Sequence, residues 1–284
     1  IDFGPKAGGG PGLWFVGVNW SSACEMHYVP PGDGFYQTDG GHAVIGVLDM
    51  DTYKLDYCTA WGGGLEIPYA IHHTDEAVWV AGFTTAQGLT DVELPPPPGI
   101  GSGAIYTTTH AGALGGQWSD GFMLRYKGGT YGLDYGTLVG GLRDDILLDI
   151  TSDADQNVYL TGETRSNSGF SHALDAGYYQ QATFGIPNRR DALLIGISSG
   201  AYPRAFWRSA FGGSQSDRGW GIAASADEIL LVGSSASQYT DGFPLREFSS
   251  TSDLDYYQPV TLMGSASWFI PWVEFNLAMD PDTA

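Results

Sequence analysis

A short apolar motif carrying a glycine occurs four times in this chain, as LWFVGVN (Leu13 to Asn19), VWVAGFT (Val78 to Thr84), VYLTGET (Val158 to Thr164) and ILLVGSS (Ile229 to Ser235). The aligned glycines Gly17, Gly82, Gly162 and Gly233 are spaced by 65, 80 and 71 residues. Self-similarity at a wandering but bounded period marks a chain built from copies of one supersecondary unit. Three further columns recur in the same order. HAVIGVLDMDTY (from His42), DGFMLRYKGGTY (from Asp120) and DALLIGISSGAY (from Asp191) form one, with SWFIPWVEFNLAMD (from Ser267) as a looser fourth copy. Double glycines at Gly62 and Gly63, Gly140 and Gly141, and Gly212 and Gly213 form another, and FYQ (Phe35), YYQ (Tyr178) and YYQ (Tyr256) the last.

Each unit reads as four short β-strands, because apolar runs of five to eight residues rich in Val, Ile, Leu, Tyr and Trp are bounded by Gly, Asp, Ser and Pro. Helical periodicity is nearly absent. In the third unit the strands are expected at roughly 146–150, 157–164, 191–197 and 204–210, with the double glycine turning the chain into the next unit where a Cβ would clash or a positive φ is needed. A lone four-stranded sheet cannot bury both faces, whereas sheets stacked radially can. The expected fold is therefore all-β, a β-propeller of four-stranded antiparallel blades. One segment spans 1–284, with units at about 1–61, 62–139, 140–211 and 212–284. The chain starts inside a first strand (IDF) and stops just past a third-strand hairpin (MDPDTA), so the expectation is about four blades within a larger propeller.

The stretch DGFMLRYKGGTYGLDYGTLVGGLRDDILLDITSDADQNVYLTGETRSNSGF (Asp120 to Phe170), together with DGFP (Asp241 to Pro244) ahead of YYQ, resembles the bacterial SBBP (seven-bladed β-propeller) repeat. The likeness runs over nearly the whole chain, although these units are longer than the usual repeat through the insertions Gln87 to Gln117 and Asn167 to Asn188. What the resemblance implies is a propeller of the kind common in surface and secreted bacterial proteins. It brings no catalytic constellation with it.

Charge narrows the partners. With 32 acidic against 12 basic residues and a formal net charge of −20, the chain is a poor match for nucleic acid or an anionic membrane. No apolar run approaches the length of a membrane span, and the opening IDFGPKAGGG lacks the basic start and apolar core of a signal peptide, as in a mature or trimmed chain or one that never carried such a signal. An acidic, Gly-rich composition fits an extracellular or cell-surface setting, where Cys24 and Cys58 are expected to form a disulfide; two separate buried thiols are the alternative.

The motif Asp153-Ala-Asp155-Gln-Asn157 has the spacing with which oxygen ligands wrap Ca2+, and calcium is the one cofactor it suggests. It also falls between two strands, where Asp and Asn bond the turn backbone, and the other copies, ASADE and HHTDE, lack the oxygen set. Asp144 and Asp145 follow a double glycine and recur as Glu66 and Asp217, which favours a structural use over paired carboxylates for glycoside chemistry. His72 and His73 are adjacent and face opposite ways in a strand, and His27, His42, His110 and His172 show no zinc spacing. There is no G-x-S-x-G elbow, and GGGPG and WGGGL lack the sequel of a phosphate loop. Trp20, Trp118, Trp207, Trp220, Trp268 and Trp272 offer packing or sugar-stacking surfaces, and the two insertions are natural places for recognition.

The expected function is a non-catalytic binding or scaffolding module for protein or polysaccharide at the cell surface, its open ends covered by further blades or a partner chain. The alternative is a glycan-active hydrolase or lyase. That reading requires carboxylates from different blades to converge near the axis.

Overall fold

The computed structural model describes residues 1–20, 42–87, 89, 94–96, 118–166, 189–199, 203–225, 228–237, 267–269 and 272–274. These form an all-β structure of four antiparallel sheets taken in chain order. The first holds β1 (Asp2–Pro5), β2 (Pro11–Val18), β3 (Ala43–Asp49) and β4 (Lys54–Trp61). The second holds β5 (Glu66–His73), β6 (Ala77–Thr84), β7 (Asp120–Lys127) and β8 (Leu133–Val139). The third holds β9 (Asp145–Ser152), β10 (Val158–Thr164), β11 (Asp191–Ile197) and β12 (Ala205–Phe211). In the fourth, β13 (Asp217–Ala224) pairs with β14 (Glu228–Ser235), whose other edge carries β15 (Ser267–Phe269) and β16 (Trp272–Glu274) end to end. No helix among the described residues is long and apolar enough to cross a membrane.

The sheets pack in series, each first strand lying against the first strand of the next, which is consistent with a propeller-like arrangement. The packing explains why the strands read as continuous apolar runs. In β6, Val78 and Val80 join Trp14, Ile45, Tyr57 and Trp61 in a core between sheets one and two. The alternate residues Trp79 and Ala81 join Leu147, Ile150, Leu160 and Leu193 in a core between sheets two and three. A strand buried on both faces loses the polar alternation of a half-exposed one. Sheets three and four share Tyr159, Leu194, Trp207, Ile222 and Leu231. Each such large apolar side chain contributes about 1.5–3 kcal/mol by leaving water, so the junctions between sheets hold the fold together.

The repeated glycine has a local cause. In sheets two, three and four the first strand carries one extra residue opposite it, Tyr69, Leu148 and Trp220, where the pairing skips from Pro68 to Ala70, from Leu147 to Asp149 and from Gly219 to Gly221. This bulge pushes the neighbouring backbone inward. A Cβ on Gly82 would meet the carbonyl oxygen of Ile67, and one on Gly162 that of Ile146, each well inside the 3.0 Å that real Cβ atoms respect. Gly17 has nothing within 4 Å, because β1 pairs with β2 only as far as Trp14. At the double glycines a Cβ on Gly62, Gly140 or Gly212 would crowd a buried carboxylate, and Gly62 in addition has φ +117°.

Candidate functional site

The oxygen-rich motif forms the turn between β9 and β10. One carboxylate oxygen of Asp153 accepts the amide of Asn157 at 2.9 Å, and the other accepts Asn157 Nδ2 at 3.0 Å and the Tyr159 hydroxyl at 2.9 Å. Gln156 takes the left-handed conformation, φ 66°, that lets the chain reverse. Asn157 Oδ1 accepts the amide of Ser199, and Asp155 is exposed. Asp153 thus spends its lone pairs on the turn and on a buried phenol. Asp153→Ala strands that hydroxyl and an amide, so it is expected to lower stability by about 2 kcal/mol whether or not calcium is present, as read by chemical denaturation in calcium and in chelator.

The carboxylates that recur at the heads of the first strands form a second set. Glu66 accepts the amides of Gly63 and Gly64, Asp145 that of Gly141, and Asp217 that of Gly213. Hydroxyls from the second strand or just past it complete each shell: Thr84 on Glu66, Ser166 on Asp145, Ser235 and Ser237 on Asp217. All three side chains are buried, and each ties the double-glycine turn to its own sheet. The head of the third strand of the preceding sheet lies beside each. At the first junction this residue is His42, which gives its amide to Glu66 and sets Nδ1 3.6 Å from it. At the next two it is a second buried acid. A Cβ on Gly140 would meet Asp120 at 2.6 Å and Asp145 at 3.0 Å, and one on Gly212 would meet Asp217 at 2.6 Å and Asp191 at 2.9 Å. Burial first, and Asp120 nearby as a smaller cause, push the Asp145 carboxyl up to about 7; burial also raises Asp217.

The first strands bring a third group together. His72 Nε2 lies 2.9 Å from Ser152 Oγ, while Asp2 accepts the amide of His73 at 2.6 Å and sits 3.7 Å from His72 Nδ1. Asp149 accepts the amide of Ile222, joining sheets three and four as Asp2 joins one and two. Burial depresses His72, against the opposing pull of Asp2 and Asp149. His73 packs against Gly4 on the other side of β5, as strand alternation requires. The bulged Tyr69 and Trp220 stand 48% and 39% exposed on these first strands. Bulges re-aim side chains in this way beside binding sites.

Among the tryptophans, Trp207 is core and Trp20 exposed. The side chains of Trp268 and Trp272 lie outside the described residues, as do His27, His110, His172, YYQ and most of both insertions. Cys58 is buried in β4, and Cys24 lies outside the described residues. Among the described residues no group of three or more His, Cys, Asp or Glu is arranged to hold a metal ion. No protein-family model matches the chain, and no curated protein matches it.

Proposed function

We propose that the chain is part of a β-propeller of SBBP-repeat type, acting outside the cell or at its surface as a non-catalytic binding or scaffolding module for protein or glycan. The observation that carries this reading is the use made of the acids. Those that recur hold turns in place, whereas two of the three bulge residues, Tyr69 and Trp220, are exposed aromatics, the third being the half-buried Leu148. Aromatic rings on rigid strands bind with little loss of side-chain entropy, which suits recognition better than bond cleavage. About four blades of a larger ring fit the serial packing, with further blades or a partner chain covering the outer faces of sheets one and four, where Phe3 is 64% exposed. A disulfide between Cys24 and Cys58 belongs to the same extracellular reading, with calcium at Asp153, Asp155 and Asn157 its one candidate ion.

A glycan-active enzyme is favoured by one observation, the acids Asp2 and Asp149 on different sheets that both act on His72. A polysaccharide panel separates the two. Binding without product formation, weakened by Tyr69→Ala or Trp220→Ala, supports the module. Turnover that Asp149→Asn abolishes overturns it.

A further inference from the structure

Three of the nine arginines of this acidic chain, Arg165, Arg190 and Arg218, come together at one end of sheets three and four. Glu163, at the end of β10 and nearly fully buried, forms an ion pair with Arg190, whose Nε is 3.3 Å away, and accepts a hydrogen bond from Arg218 Nε, while Arg165 donates to Asp144 at 2.8 Å. Arg143 is bound into the same corner through its amide on Ser166, and Arg189 precedes Arg190 in the open. Arg218 lies over the half-exposed ring of Trp220, 4.4 Å from its centre.

The repeat shows that the fold does not need these charges. The positions of Glu163 and Arg218 are filled by Val18 and Ile67 at the first junction and by Phe83 and Ile146 at the second. Part-buried apolar side chains stand there instead, and a buried ion pair is no more stabilising than an apolar contact. Desolvation is also paid in full view: burial lowers Arg190, and the Nε of Arg165 has no hydrogen-bond partner among the described residues. Glu163 pairs with Arg190 and Arg218 at Nε, and both guanidinium side chains remain part-exposed. Three part-exposed guanidiniums thus gather around Glu163 and Asp144. The neighbouring Asp145, Asp191 and Asp217 are buried, and burial raises the carboxyls of Asp145 and Asp217. Guanidinium forks match carboxylates, and an aromatic face beside them matches a sugar ring.

We propose that Arg165, Arg190, Arg218 and Trp220 form a binding site for an acidic polysaccharide, one whose sugars carry a carboxylate, as in a polyuronate. The proposal rests on the binding-module reading and names its ligand class. An acidic protein segment would meet the same guanidiniums, but the half-exposed indole against Arg218 favours the sugar. The test is calorimetric titration of the chain with oligogalacturonate, the same oligomer methyl-esterified, and oligoglutamate, at low and moderate salt. The acid oligomer is expected to bind, the ester at least tenfold more weakly, and the affinity for the acid to fall with salt. Arg190→Gln and, independently, Trp220→Ala are each expected to weaken it about tenfold; the second leaves every ion pair in place and guards against a folding defect in the first. Equal binding of acid and ester overturns the site while leaving the module reading intact. Oligoglutamate binding as tightly as the uronate overturns it in favour of an acidic protein partner, and absence of binding to all three overturns it outright. Depolymerisation of the oligomer would instead overturn the module reading.

Discussion

Replacing Gly162 by alanine is expected to cost about 3 kcal/mol, at the upper end of what overpacking a well-filled site costs, whereas Gly17→Ala should be neutral or stabilise by about 0.5 kcal/mol. The two glycines occupy the same place in the repeat, and a propensity scale treats them alike. What separates them is the bulge in β9, which brings the Ile146 carbonyl onto the point where a Cβ of Gly162 would stand, while the space around Gly17 is open. That carbonyl belongs to backbone paired on one side with β10 and packed on the other against β13, so it has no rotamer to escape into. Gly82→Ala should behave like Gly162→Ala, since Ile67 plays the part of Ile146. Urea denaturation of the three variants is the measurement. Equal losses at Gly17 and Gly162 would mean that the glycine is selected for something other than this contact.

Stability is expected to be greater near pH 5 than near pH 8, and Asp145 to be the largest single reason. Its folded carboxyl, pushed up to about 7 by burial, holds a proton that the unfolded chain has released above about pH 4. The folded state therefore binds more protons between these values, and the stability this supplies is complete below about pH 4 and lost as pH rises through about 7. The difference is on the order of 3 kcal/mol. Asp134, Asp149 and Asp217, all raised by burial, act in the same direction, as does relief of the formal −20 charge. Two groups oppose it. His72, depressed by burial, costs stability as pH falls below its unfolded value near 6.5, and Asp49, held down to about 2 by its hydrogen bond from Lys6, gives up its contribution only in stronger acid. Denaturation midpoints between pH 4.5 and 8 should fall with pH in the native chain, and the slope should flatten in Asp145→Asn even if that variant is less stable at every pH. A slope unchanged by Asp145→Asn would place the proton elsewhere.

The strands were legible because burial on both faces leaves a mark on composition that needs no knowledge of the partner. Expected strands at about 146–150, 157–164, 191–197 and 204–210 correspond to Asp145–Ser152, Val158–Thr164, Asp191–Ile197 and Ala205–Phe211. The recurrence of Glu66, Asp145 and Asp217 after double glycines was likewise readable as turn chemistry, since the donors lie four residues or fewer away. Repetition supplied the rest: a feature present in several copies is one the unit needs.

What the sequence by itself determined is thus the unit, its four strands and the local bonds of its turns, all set by neighbours close along the chain. Tertiary structure alone decided how one unit meets the next. Nothing along the chain shows that Asp120 faces Asp145 across Gly140, that Asp149 caps an amide 73 residues away, or that Glu163 draws Arg190 and Arg218 together. Those contacts depend on where a bulge aims a strand and how two sheets stack. They exist only once apolar faces such as Leu147 and Leu193 have brought the sheets together, because a charge pair in water is too weak to do so first.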